Sequence, residues 1–393
     1  MTTRAGKAGV WDADVIVLGT GAWGAMATWR LAASGVDVLA LDRLSAPHDQ
    51  GSSHGITRLF RAACLEHPGL TPLALHSAQL YRDLEAATGA HILDQCGGLT
   101  IGPERGVAVP GVLRAAADAS LPVEVLDAVV LRERHPFHTR IDDGDVGVFD
   151  PLSGTLRVET AVGAALDTAR RHSAQVRSGV TVRDVHSIPG GLRIETDRGV
   201  FRAPRVISTL GSWTREVFPE LPLKLTRMPM TWFRPRVGVS QASLESAGAF
   251  IREMGVGGGY WGHGAPRGEL AKVGPRGAMA RGDERSVDGL DRRFAPVDAA
   301  PAEHMVAEYL PSLEPRAAAG YICHSTRTPD ELFLIDERPN GLVIAAGESG
   351  HGGKHAAGMG AALAALATDR DPAVDIDFLR ASRFAGPLAA LAI

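Results

Sequence analysis

Asp14-Val-Ile-Val-Leu-Gly-Thr-Gly-Ala-Trp-Gly24 is the stretch whose reading decides the fold. Residues 15–18 are a short apolar, largely β-branched run of the kind buried on both faces of a parallel sheet. Gly19, Gly21 and Gly24 follow in the spacing G-x-G-x-x-G. The first permits a tight turn, the second lets backbone approach a pyrophosphate, and the third lets a helix meet the strand closely. Residues 25–33 read as that helix, whose unpaired N–H groups and positive dipole end favour an anion without the help of a lysine. A second strand, 36–41, ends in Asp42, where a carboxylate accepts hydrogen bonds from adenosine ribose hydroxyls, which fits FAD or NAD better than NADP. Such glycines can be purely structural, but strand, helix and acid agree here on a dinucleotide.

The chain has 393 residues, more than one compact domain usually holds, so two domains are expected. Its 41 basic and 45 acidic residues leave a formal charge of −4, which gives no general attraction to nucleic acid or to an anionic membrane and points to a small-molecule ligand. Cys64, Cys96 and Cys323 form no closely spaced metal motif, so no metal is expected, and an odd count fits a reducing cytoplasm better than an oxidised framework. Residues 1–11 contain Arg4 and Lys7 but no apolar core of a secretory signal and are expected to be a short disordered leader. No apolar run reaches membrane-spanning length.

Residues 46–55 are too rich in Gly, Ser and Pro for helix or strand and run into Ile56-Thr-Arg-Leu-Phe-Arg61, so one loop brings Ser53, His54, Arg58 and Arg61 together. That is either a solvated basic turn or a set of cationic contacts to a flavin or a substrate carboxylate. Leu73, Leu75, Leu80, Tyr81 and Leu84 give 71–85 the spacing of an amphipathic helix. Then come a strand over 93–101, a helix over 109–120, a short strand over 123–126, and charged, proline-containing surface connections over 132–145. A helix spans 158–171, Val176, Val180, Val182 and Val185 alternate, and strands 192–196 and 200–203 flank Asp197-Arg-Gly199 as a hairpin. Residues 205–211 read as a buried strand ending in Gly211, a further close approach to a cofactor. From 223–233 and near Tyr260 the pattern favours strands without a nucleotide signature, a substrate-domain candidate in which Trp261 and Lys272 fall on adjacent strands of one hairpin. After a helix over 302–310, the strand 342–346, the loop Gly347-Glu-Ser-Gly-His-Gly-Gly-Lys354 and an alanine-rich helix to 367 repeat the logic of the opening.

In this order, residues 15–24, Gly51-Ser-Ser-His-Gly-Ile-Thr-Arg-Leu-Phe-Arg61, Cys323-His-Ser-Thr-Arg-Thr-Pro-Asp-Glu-Leu-Phe-Leu-Ile-Asp336 and Ala345-Ala-Gly-Glu-Ser-Gly-His-Gly-Gly-Lys354 resemble the monomeric sarcosine oxidase and N-methyltryptophan oxidase family of FAD-dependent amine oxidases. The resemblance covers nearly the whole chain. It implies an α/β fold with a discontinuous FAD-binding domain of glutathione-reductase type (12–95, 150–222 and 325–393) and a mixed-sheet substrate domain (96–149 and 223–324). It also implies FAD bound covalently, with Cys323 matching the cysteine that forms a thioether to the flavin 8-methyl carbon. Arg61 and Lys354 match the two cations for a substrate carboxylate, and their chemistry suits that role independently. His54 and Arg58 match flavin-side residues, Lys272 a lysine implicated in oxygen activation, and His351 an active-site histidine. The cofactor-facing set implied is Gly19, Gly21, Gly24, Asp42, Arg43, Ser53, His54, Arg58, Val182, Gly211, Trp213, Cys323, Gly347, Gly350, Gly352, Gly353 and Lys354.

Departures from the family narrow the substrate. By register Trp261 stands where sarcosine oxidases carry tyrosine, Arg276 where they carry histidine, and Gly353 and Glu348 where they carry phenylalanine. A glycine at 353 enlarges the cavity, and an acid at 348 is expected either to face solvent at a helix start or to pair with a cationic substrate group, His351 or Lys354. The expected activity is therefore oxidation of a secondary or cyclic amino acid other than sarcosine, a catabolic or biosynthetic tailoring step, to an imine, with molecular oxygen reduced to hydrogen peroxide. The protein is expected to be a cytoplasmic monomer or weak homodimer. Two rivals are an NAD-dependent dehydrogenase, which leaves the Cys323 and Lys354 stretches without a role, and a noncatalytic flavin-bearing subunit, against which Arg61, Lys272 and Lys354 argue.

Overall fold

The computed structural model describes residues 11–255, 257–266, 268–276, 284 and 286–384. Val15–Leu18 lies inside a six-stranded sheet with the order Leu334–Arg338, Leu342–Ala346, Arg205–Ser208, Val15–Leu18, Val38–Leu41, Gln175–Arg177. Only Leu334–Arg338 pairs antiparallel with its neighbour. Both faces are covered, which is why the strand is apolar throughout. Val15 and Val17 pack into the core formed by the helices Ala22–Ala33, Leu70–Thr88, Val158–Arg171 and Ala356–Leu366, while Ile16 and Leu18 face a three-stranded antiparallel sheet of Val182–Ile188, Gly191–Thr196 and Gly199–Ala203.

A second, eight-stranded sheet has the order Leu313–Arg327, Lys224–Pro235, Ala271–Pro275, Gly258–His263, Ala249–Met254, Gly98–Pro103, Asp145–Asp150, Glu124–Leu126. Its longest pair sets Met228 opposite Cys323 and Met230 opposite Tyr321. Beside it, Trp261 pairs with Gly274 and His263 with Lys272, the hairpin that places the aromatic and the lysine on adjacent strands. A small sheet of Arg58–Phe60, Gly154–Leu156 and Leu93–Asp94 carries the arginines of the basic loop.

Several expectations are corrected. The first helix begins at Ala22, not 25, because Gly24 is already helical, and a Cβ there would lie 1.9 Å from the Gly19 carbonyl oxygen. Residues 93–101 are not one strand: Leu93–Asp94 and Gly98–Pro103 belong to different sheets, and Gly97, at φ +86°, turns the chain between them. Residues 132–145 are not all surface connection. After the helix Ala128–Arg134, Phe137 and His138 are buried against Phe250 and Tyr260, and Arg252, 1% exposed, donates to the Thr139 carbonyl oxygen and lies 3.6 Å from Asp145. The helix expected over 302–310 starts at Pro296, a residue suited to a first turn that needs no N–H donor. The expectation of a disordered leader over 1–11 falls outside the described residues except at Trp11. Among the described residues, no helix is long and apolar enough to cross a membrane.

Candidate active site

The C-terminal ends of Val15–Leu18, Val38–Leu41, Arg205–Ser208 and Leu342–Ala346 open onto a cavity of about 630 Å³, the place where ligands bind open parallel sheets. At its sheet end stand Gly19, Gly21, Asp42, Arg43, Ser53, Val182, Gly211 and Trp213. Gly24 does not line it. That glycine closes the helix onto the turn, whereas a Cβ on Gly21 would meet only Ser53 Oγ, at 3.2 Å. Gly21 caps the helix without a side-chain oxygen, so the first-turn N–H groups are left for a ligand, apart from that of Ala22, which donates to Ser53 Oγ at 2.9 Å. The Asp42 carboxylate accepts from the Thr20 N–H and hydroxyl and from the Leu44 N–H, which fixes it at the strand end. These residues fit a dinucleotide: phosphates at the helix N-terminus over Gly21 and a ribose beside Asp42. Arg43 pairs with Asp288 at 2.9 Å on the rim.

The middle of the cavity is floored by Met228, Met230 and Cys323, all buried, with Trp261 beside them. Burial raises the Cys323 thiol above its usual range, and the Arg58 guanidinium, whose nearest nitrogen is 3.9 Å from Sγ, works in the opposite direction. Arg58 is held by the carbonyl oxygens of Ser52, His54 and Thr57, none of which neutralises it. His54 does not line the cavity. It lies behind Arg58 with its ring 4.5 Å from that of Tyr321, and burial, then the Arg58 charge, push it down to about 3. Lys272 Nζ donates to the Thr57 carbonyl oxygen at 3.3 Å and sits 5.0 and 5.3 Å from the rings of Trp232 and Trp261. Burial, then Arg58, hold its ammonium well below the usual range.

At the far end Arg61 and Lys354 meet. Both point at the carboxylate of Glu66, Lys354 Nζ at 3.3 Å and Arg61 in a short ion pair, while Arg61 Nη1 and Glu66 Oε2 are buried without hydrogen-bond partners. Burial works to raise the Glu66 carboxyl, but the charges of Arg61, Lys354 and His351 together outweigh it and hold it well below the usual range. His351 also lines this end, with Nε2 2.9 Å from the Glu331 carbonyl oxygen, and burial pushes it down to about 4.

Glu348 meets neither of its expected fates. It neither faces solvent nor pairs with His351 or Lys354. Its carboxylate accepts from the N–H groups of Thr326 (2.9 Å) and Gly350 (2.6 Å) and from Ser325 Oγ (3.1 Å), tying the glycine loop to the long strand. Burial raises its carboxyl, and those hydrogen bonds act against the rise. Gly347, Gly350, Gly352 and Gly353 line the cavity along that loop, and a Cβ at 353 would meet only the Arg58 side chain, at 3.4 Å.

Two residues of the site escaped sequence reasoning. Glu66 stands in an unpatterned loop, and only the meeting of two distant cations on it reveals its part. His324 follows Cys323 and holds the basic loop through Ser52 Oγ (3.1 Å) and the Gln50 carbonyl oxygen (2.9 Å), while Ser212 Oγ of the turn Gly211–Trp213 lies 2.7 Å from its ring. Its signal was adjacency to the cysteine alone.

Comparisons with known proteins agree with this geometry. The family model described as FAD dependent oxidoreductase matches residues 14–366. Over 375 residues the chain is 31% identical to the N-methyl-L-tryptophan oxidase of Yersinia pestis (strain Pestoides F), covering 95% of this chain and 100% of that protein. The fold is shared with the open form of NikD, an unusual amino acid oxidase essential for nikkomycin biosynthesis, at a TM-score of 0.80 and 23% identity, covering 94% of this chain and 97% of that one. It is shared also with glycine oxidase from Geobacillus kaustophilus, at a TM-score of 0.77 and 20% identity over 94% and 98% of the two chains. The dinucleotide that Gly21 and Asp42 are shaped to receive is thereby identified as FAD, and the chain belongs to the FAD-dependent oxidoreductases.

Proposed function

We propose that this enzyme oxidises a secondary or cyclic amino acid, an N-methyl amino acid or imino acid, to an imine, reducing oxygen to hydrogen peroxide, with its FAD tethered through Cys323. In this reading the segments 12–95, 150–222 and 325–393 hold the cofactor, and 96–149 and 223–324 form the substrate side. FAD, held at Gly21, Asp42 and Cys323, would supply the redox chemistry, as acceptor of a hydride equivalent from the carbon next to nitrogen and donor of the electrons to oxygen. One observation carries the substrate class: Arg61 and Lys354, from opposite ends of the chain, converge on a single carboxylate inside the cavity. That carboxylate belongs to Glu66, so the pair keeps one positive charge in excess and a buried Arg61 Nη1 without a partner, which suits a substrate carboxylate, the guanidinium giving direction and the ammonium added charge. The same charges disfavour an ammonium group on the substrate, so binding the acid and freeing the amine nitrogen of its proton are coupled.

Cys323 is suited to the tether because its sulfur is buried on the cavity floor and Arg58 favours its thiolate. Lys272 is suited to oxygen reduction. It has no carboxylate partner among the described residues, and its depressed ammonium gains its proton most readily when negative charge develops beside it. Gly353 and the likeness to an N-methyl-L-tryptophan oxidase both support a side chain larger than that of sarcosine.

Anaerobic mixing with N-methyl, cyclic and primary amino acids tests the reading by loss of flavin colour. Bleaching is expected from secondary and cyclic amino acids and not from their amides or decarboxylated forms; equal bleaching by both sets overturns the carboxylate assignment. Acid precipitation tests the tether: flavin stays with the wild-type chain and is released from Cys323→Ser, and release from both overturns it.

A further inference from the structure

We propose that Arg276 is the receptor for a second carboxylate, one on the substrate's side chain, so that the preferred substrate is an acidic N-substituted or cyclic amino acid. This rests on the reading of Arg61 and Lys354 as the receptor for the first carboxylate.

Along Ala271–Pro275 successive side chains alternate between faces, so Lys272, Gly274 and the following Arg276 share one face, and Lys272 and Arg276 both line the cavity. A Cβ on Gly274 would lie 2.4 Å from the Trp261 ring, so the indole lies across the strand at the position between the two cations. The Arg276 N–H donates to the Gly259 carbonyl oxygen at 2.8 Å, which extends the pairing of the two strands and fixes where the side chain starts.

Among the described residues the guanidinium has no partner. Its Nη1 is buried without a hydrogen bond, and no carboxylate of the described residues lies within ion-pair distance of it. The acids around the active end are engaged elsewhere: Glu66 with Arg61 and Lys354, Glu331 with Arg327, and Glu348 with backbone N–H groups. Asp42 is held at the nucleotide end, and Glu216 lies near Arg43. Arg276 is half-buried, so a cation with no counter-ion among the described residues and one nitrogen out of water favours an anion that joins it, and a planar fork of five donors matches a carboxylate. Four residues separate the backbones of Arg276 and Lys272 by roughly 13 Å, with the Trp261 indole lying across the strand between them. Arg276 follows a strand of the eight-stranded sheet, whereas Gly21 follows a strand of the six-stranded one, and on that ground the anion is assigned to the substrate's side chain and not to the dinucleotide phosphates.

The test uses the flavin-loaded enzyme. Kd values of unreactive monocarboxylates, dicarboxylates of graded length and the monoamides of those dicarboxylates are read from the shift of the flavin spectrum. kcat and KM are measured for N-methyl-L-glutamate and N-methyl-L-aspartate against N-methyl-L-glutamine and N-methyl-L-asparagine. The acids are expected to be preferred at least tenfold in kcat/KM, mainly through KM. Arg276→Gln should abolish the preference, Arg276→Lys should restore part of it, and Arg276→Glu should shift preference toward N-methyl-L-lysine. A ratio unchanged in Arg276→Gln, or a wild-type preference for the amides, overturns the proposal. If a single carboxylate binds better than its amide but a second one adds nothing, only the assignment of Arg276 falls. If carboxylates and amides perturb the flavin alike, the Arg61–Lys354 reading falls and this one with it.

Discussion

Lys272 and Lys354 are both buried lysines, yet their surroundings assign them different work. Lys354 has Glu66 at 3.3 Å; Lys272 has two indole faces and a carbonyl oxygen. A lysine beside aromatic faces and without an acid is poised to answer charge that appears during reaction. Replacing it with Met, which keeps the volume and removes the charge, should slow flavin reoxidation at least tenfold while leaving anaerobic reduction within a few-fold. Stopped-flow measurement of the two half-reactions checks this, and equal slowing of both would count against an oxygen-specific role. Arg61, Lys272 and Lys354 were legible in the chain because each stands in a distinctive stretch. Glu66 was not, because an acid in a loop acquires meaning only from what folds against it.

The opening turn shows how one element holds glycines for different reasons. At Gly24 the constraint is internal, since a Cβ would stand 1.9 Å from the Gly19 carbonyl oxygen. At Gly21 the protein leaves space, with only Ser53 Oγ at 3.2 Å. Gly24→Ala should therefore cost folding stability by roughly 1–3 kcal/mol or more, as overpacking against backbone does. Gly21→Ala should keep a folded chain with close to wild-type urea midpoint but much reduced flavin content. Measuring flavin absorbance against protein and the denaturation midpoint for both variants checks the distinction; similar losses in both would show that the two positions are constrained alike. The spacing in the sequence announced the motif and this division of labour between its glycines; the structure supplied the distances that enforce it. A limit does appear at 93–101: the run reads as one strand, and the left-handed backbone at Gly97 diverts the chain to a new sheet.

At the scale of the molecule, burial leaves many histidines neutral. His54 and His263 are held down at about 3, and His324 and His351 at about 4, in each case with burial as the largest cause. An unfolded chain protonates these groups below about pH 6.5 while the folded chain does not, so the unfolded state binds more protons over that window. Stability should therefore be full near pH 7 and fall as the pH drops toward 4, each histidine adding up to about 1.4 kcal/mol per pH unit. Urea midpoints at pH 7, 5.5 and 4.5 measure the slope, and His263→Gln should flatten it; midpoints independent of pH across that range would contradict the burial argument. The strands that build the two large sheets were mostly legible, because apolar runs and glycine turns are local signals. Which strand lies beside which was not, since Arg205–Ser208 joins Val15–Leu18 from far along the chain.

The sequence by itself determined that a dinucleotide is held on a strand, a glycine turn and a helix, and which cations and which cysteine were candidates for the chemistry, since backbone freedom and side-chain charge are properties of residues and their spacing. Tertiary structure alone decided that Arg61 and Lys354 share one carboxylate, that Glu348 serves the glycine loop, and that Arg276 stands without a partner among the described residues. Those are facts of convergence. A charge is satisfied or left wanting only by what the fold brings within a few ångströms of it, and no local pattern records that distance.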